Sequence, residues 1–152
     1  MRWFGVFAIG MLAACNPMAN LEEAETRIEE FQAAYSVDDV DDMYEMTGPE
    51  FRKVTTREEF DDLYALIDLR LGAVEASERT GFNVNTNNGR TVTVVSMQSE
   101  FELGEGIETY TFFGHGEDME LVGWNVNSPN LTLTSEDIRK LSEDEAQAEP
   151  AG

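Results

Sequence analysis

The chain has 152 residues, with 31 acidic against 10 basic side chains, one His and one Cys, for a formal charge of −21. Such a charge excludes binding to nucleic acid, whose phosphates are held by protein cations that displace counterions, and one cysteine excludes an internal disulfide framework. The length and a composition of 41% apolar and 10% aromatic residues fit one domain with a true core rather than a disordered chain.

At the amino end, Arg2 precedes the uncharged stretch Trp3–Ala14. As a helix this stretch would cover ~18 Å, short of a hydrocarbon core of ~30 Å, so it is no permanent span. A positive start, a short apolar run and small residues at its end are the anatomy of a secretory signal peptide, here residues 1–14. The run closes with Leu12-Ala13-Ala14-Cys15, which resembles the lipobox of bacterial lipoproteins. That resemblance implies cleavage before Cys15, a thioether-linked diacylglyceryl group on its thiol, and acylation of the freed amine with a chain such as palmitate. Two or three chains, at ~0.8 kcal/mol per buried methylene, anchor a protein stably where one is marginal. Among Gram-negative lipoproteins, a residue other than Asp after the cysteine (Asn16 here) implies the outer membrane, facing the periplasm. Residues 15–20 read as the lipidated cysteine and a short linker.

Asn20 is the expected N-cap of a first helix, with Glu22, Glu23 and Glu25 in its opening turns. Leu21, Ala24, Ile28, Phe31 and Tyr35 recur at steps of three and four, the stripe of an amphipathic helix. A second, shorter helix after Ser36 buries Val40, Met43 and Tyr44 and stops near Thr47-Gly48-Pro49. Thr56 followed by Glu59 is a capping box, opening a third helix that buries Phe60, Leu63, Tyr64, Ile67 and Leu71 and ends at Gly72.

From Ala73 the period becomes two. Val74, Ala76, Phe82 and Val84 share one parity, and Asn87-Asn88-Gly89 is turn chemistry. Thr91–Phe101 is a long strand whose apolar parity switches between Val94 and Val95, as a β-bulge would require. Leu103–Gly106 and Gly114–Asp118 read as turns bounding two more strands, Ile107–Phe113 and Met119–Val126. Ser135 opens a short acidic helix ending at Leu141, followed by a tail without large apolar residues, so residues 134–152 stand apart from a domain at 21–133.

Helices followed by a four-strand meander predict an α+β fold, with helices packed on a bent antiparallel sheet. This order resembles the nuclear transport factor 2-like, or cystatin-like, cone, in which a bent sheet wraps a long helix. Arg70-Leu71-Gly72-Ala73-Val74, Glu108-Thr109 and Gly123-Trp124-Asn125-Val126 are similar to stretches of a bacterial family of exported proteins of unknown function. The resemblance covers Leu21 to Pro129 and implies a fold and a place in the cell envelope, with no reaction. Cone domains of this kind often dimerise through the sheet, so a homodimer is a further expectation.

Site chemistry is sparse. His115 lies between glycines on a turn and reads as a loop residue, and no nucleophile elbow accompanies it. One Cys and one His exclude a structural zinc site. The acidic run Asp38–Asp42 and the alternation Asn83, Asn85, Asn87 both fail the EF-hand pattern, at positions 3 and 6 and at positions 6 and 12 respectively. Phosphate-binding glycine patterns are absent. No catalytic, cofactor or metal residue is assigned. Some cone proteins are ketosteroid isomerase-like enzymes, which need a carboxylate base and an oxyanion-stabilising acid or phenol. Glu108, within an apolar strand, is the candidate carboxylate, with Tyr64, Tyr110 and Trp124 as candidate pocket residues. Its alternative fate is to face solvent or to pair with Arg70 or Arg79. The sequence thus predicts a non-enzymatic, lipid-anchored envelope protein that binds a partner protein or a small ligand. A small isomerase- or hydrolase-type enzyme and an acidic, cation-recruiting scaffold are the alternatives.

Overall fold

The computed structural model describes residues 16–132; the signal-peptide segment, Cys15 and the segment 134–152 lie outside them. Helix α1 spans Pro17–Ser36. Proline at its first position carries a φ suited to a helix and lacks an N–H that would be orphaned there anyway. Asn16 supplies the cap, its Oδ1 accepting from the Met18 N–H at 3.1 Å. The cap is therefore Asn16 rather than Asn20, and residues 17–20, expected as linker, are helical. The buried stripe is the predicted one, Leu21, Ala24, Ile28, Phe31 and Tyr35, joined by Ala34.

Helix α2 covers Val40–Glu45, with Asp39 as its cap, and α4 covers Arg57–Leu71. The capping box of Thr56 and Glu59 forms as predicted, and Gly72 terminates α4 at φ 72°, a conformation that costs glycine little. Between them the structure adds a helix that the sequence reading lacked, α3 at Pro49–Val54. Pro49, read as a stop, is instead the first residue of this helix, the position where proline is favoured.

Strands β1 (Val74–Asn87), β2 (Arg90–Phe101), β3 (Gly104–Phe113) and β4 (Glu120–Asn127) form one antiparallel sheet in the order β1-β2-β3-β4. The architecture is α+β, helices followed by a curled four-strand meander. Asn88 and Gly89, both at positive φ, close the first hairpin. Two expectations of strand parity are corrected. In β2 burial alternates without a break, with Thr91, Thr93, Val95, Met97, Ser99 and Phe101 inward. Val92 and Val94 face outward, and the polar inward positions Thr91 and Ser99 are accommodated by hydrogen bonds. The register shifts fall instead in β1, at Val74/Ala76 and Arg79/Gly81, and between β3 and β4 at Thr111/Phe112. Each extra residue flips the facing of the strand beyond it. The inward row of β1 is consequently Val74, Ser77, Arg79, Phe82 and Val84, opposite Phe101, Ser99, Met97, Val95 and Thr93.

Thr47 pairs with Leu121 of β4, and the Gly48 N–H donates to the Leu121 carbonyl at 2.8 Å, so the α2–α3 connection covers that edge at Leu121. The core gathers around Trp124, whose ring lies 5.1 Å from Phe31, 6.1 Å from Phe60 and 6.3 Å from Tyr35.

Candidate functional site

Alternation along β3 sets Gly106, Glu108, Tyr110 and Phe112 on the inward face. Cross-strand pairing then places Glu108 between Met97 of β2 and Val126 of β4. A carboxylate at 1% exposure is costly unless its lone pairs are filled. They are filled four times. Oε2 accepts from Gln32 Nε2 at 2.7 Å and from Ser99 Oγ at 2.5 Å. Oε1 accepts from Tyr110 Oη at 2.7 Å and from Trp124 Nε1 at 3.1 Å. A carboxylate offers about four acceptor positions, and each is taken here by a neutral donor.

The donors are ordered in turn. Gln32 Nε2 also donates to Ser77 Oγ at 3.1 Å, and the hydroxyls of Ser77 and Ser99 lie 3.0 Å apart. Since Ser99 gives its proton to Glu108, Ser77 must donate to Ser99 and accept from Gln32. The two amide hydrogens of Gln32 therefore divide between Ser77 and Glu108, closing a ring that joins α1, β1, β2 and β3. Burial first, and then the Glu108 charge, push the Tyr110 phenol well above its ordinary range, which keeps it a donor.

Of the four candidate pocket residues, Glu108, Tyr110 and Trp124 meet in this network. Tyr64 does not. Its hydroxyl donates to Asp38 Oδ1 at 2.5 Å, and its ring packs edge-on against Tyr35 at 5.2 Å. Burial and the Asp38 bond raise its phenol as well. Glu108 neither faces solvent nor pairs with Arg79, which binds Glu25 at 2.8 Å. Gln32, Ser77 and Ser99 were missed by sequence reasoning. For Ser99 a signal existed, since it shares the parity of Met97 and Phe101 and so must face the core. Ser77 was hidden by the β1 register shift.

The isomerase-type alternative required a buried Glu108 within reach of a tyrosine hydroxyl and facing a cavity. The first two conditions hold. Two clefts at the surface of the domain stand clear of Glu108. One, of about 60 Å³, lies between Arg27, Glu30, Phe31, Met46, Phe112 and Leu121. Ligand pockets usually run ~300–1,000 Å³. The other, of about 340 Å³, opens at the end of the sheet where Arg90, His115, Asp118 and Glu120 meet Glu50 of α3. His115 is exposed there, as a loop residue. Arg90 is stacked on Phe113 with its guanidinium carbon 4.9 Å from the ring centre, and Glu50 is bound to Lys53.

No group of His, Cys, Asp or Glu among the described residues is arranged to hold a metal ion. The acidic run is used locally: Asp38 binds Tyr64, Asp39 caps α2 through the Asp42 N–H, and Asp41 pairs with Arg57 at 2.5 Å. No helix among the described residues is long and apolar enough to cross a membrane. No known protein family matches this chain, and no curated protein matches it either.

Proposed function

We propose that this chain is a lipid-anchored protein of the bacterial cell envelope, without a reaction of its own, whose domain binds a partner protein. The domain would be a cone of the nuclear transport factor 2-like type. The anchor would be Cys15, in the outer membrane and facing the periplasm. Against a role as a pocket enzyme stands the saturation of Glu108. A base must have a free lone pair aimed at a substrate, whereas both oxygens of Glu108 are occupied and neither of the two clefts described above is lined by it.

The observation that carries the binding role is the outer face of the sheet. Its middle rows hold Gly81, Asn83 and Asn85 on β1, Val92, Val94, Ser96 and Gln98 on β2, and Ile107, Thr109, Thr111 and Phe113 on β3. None of these is charged, in a chain that is 27% charged. Charges sit only at the rim of this face, at Glu78, Arg90, Glu100, Glu105 and Glu120. An acidic protein repels most acidic partners across its surface, and this patch is where another protein approaches without that repulsion. The surface it fits is itself uncharged, and a second copy of this chain offers one.

The test is a photo-crosslinking side chain placed at Thr111, with one at Glu58 on α4 as the control, in cells expressing the full chain. The reading expects one discrete heavier species from Thr111, whose mass identifies a second copy or another envelope protein. Equal labelling from both positions would overturn it. Retention of a Cys15→Ser variant in the membrane fraction would overturn the anchor.

A further inference from the structure

Helix α1 and strand β1 run antiparallel along a seam whose contacts can be followed in order. At one end Ser36 Oγ donates to the Val74 carbonyl at 3.4 Å. Next, Gln32 reaches Ser77 at 3.1 Å. Further on, Glu25 binds Arg79, whose guanidinium lies 5.1 Å from the centre of the Phe82 ring. Glu25 and Gln32 are seven residues apart, on one face of the helix, and the same step backwards from Glu25 gives Met18. The amino-terminal end of the seam therefore carries Met18 and Phe82, which are 52% and 46% exposed.

Two large apolar side chains left in water toward the start of α1 call for a partner, and the position of residue 15 points to one. Helix α1 begins at Pro17 with Asn16 as its cap, so no flexible spacer lies between residue 15 and the helix. Three peptide units put Met18 within ~11 Å of Cys15. If residue 15 is held by acyl chains, that distance is comparable with the ~5–10 Å depth at which apolar side chains settle in the headgroup boundary. The charges on the seam are mutually neutralised in the Glu25–Arg79 pair. Exposed Glu22, Glu29 and Glu30 on the same helix oppose an anionic surface.

We infer that the amino-terminal end of the α1–β1 seam, through Met18 and Phe82, rests on a zwitterionic bilayer surface and sets the pose of the domain on its membrane. This rests on the lipid-anchor reading. Helix α1, ~30 Å long for its 20 residues, then carries the β2–β3 turn away from the bilayer. Leu103, 60% exposed and bonded through its N–H to the Leu71 carbonyl, marks that far end.

The experiment uses the full chain, expressed in a bacterium and purified from its membranes. It is placed in phosphatidylcholine vesicles containing lipid brominated near the headgroup. Phe82→Trp, Met18→Trp and Leu103→Trp are compared, each after subtraction of the unsubstituted protein's emission. Flotation with the vesicles reports the anchor, and quenching reports the pose. The inference expects flotation of all three, with quenching at positions 82 and 18 at least about twofold that at 103. Flotation with equal quenching at the three positions would overturn the pose and leave the anchor standing. Absence of flotation would overturn the anchor and the pose with it. An unquenched emission that shifts to the blue as protein density on the vesicle rises would assign Met18 and Phe82 to a second copy and overturn the inference.

Discussion

Gln32 and Glu108, 76 positions apart in the chain, are joined by a hydrogen bond of 2.7 Å that fastens the carboxy-terminal part of α1 to the floor of the sheet. A helix lying on a sheet through apolar contacts alone can slide or rotate at small cost. A buried, fully occupied carboxylate beneath it selects one rotation and one height, because any other leaves donors and acceptors unpaired.

Replacing Glu108 by Gln tests this directly. The side chain keeps its shape, but one oxygen becomes an NH₂ group facing two donors, on whichever side it settles. Glu108→Gln is expected to lose about 2 kcal/mol of stability, the cost of buried groups left unsatisfied. Urea unfolding followed by circular dichroism measures it, and a loss under about 0.5 kcal/mol would mean that the ring opens to water.

Phe31 is 1% exposed and meets the rings of Trp124 and Tyr110 edge-on, at 5.1 and 5.8 Å. Phe31→Ala is expected to cost ~3–5 kcal/mol through lost burial and the cavity left behind. In the same titration a change below about 1 kcal/mol would place α1 at the periphery of the fold.

Thr93 offers the opposite sign. Its hydroxyl is buried and has no hydrogen-bond partner among the described protein groups. Thr93→Val keeps the branched shape and removes the orphan. The variant is expected to be more stable by about 1 kcal/mol, read as a higher urea midpoint at unchanged slope.

Alkali should unfold the protein through its tyrosines. The phenols of Tyr35, Tyr64 and Tyr110 are all raised in the folded state, chiefly by burial. Above the ordinary phenol value of ~10 the unfolded chain releases protons that the folded chain retains, so stability is complete below that pH and falls as pH rises past it. Phenolate absorbance from these three residues is expected to appear together with loss of the circular dichroism signal. Gradual ionisation with the fold intact would refute their burial.

The helices were legible because their signals are local. The stripe from Leu21 to Tyr35 and the pair Thr56–Glu59 carry their meaning within one or two turns. The start of α1 was misplaced because Asn20 also has N-cap chemistry, whereas Pro17 is a favoured opening residue once Asn16 caps it. Pro49, likewise a favoured opening residue, hid α3 by reading as a stop. Strand facing was harder to read. Parity in β1 depends on two inserted residues whose positions are set by pairing with β2, a relation between distant segments. Three members of the Glu108 cluster were visible in the sequence as residue types, whereas Gln32 and Ser77 became members only when α1 was laid across β1 and β2.

Thr47 and Gly48 cover the β4 edge at Leu121, and β1 is the opposite border of the sheet, at which another strand could be added. That border is out of step with itself, since the slips at Val74/Ala76 and Arg79/Gly81 displace its outward N–H and C=O groups from a regular repeat. A straight strand offered to it would lose register within a few residues. Copies of the domain brought close together are thereby hindered from zipping through β1 into a continuous ribbon.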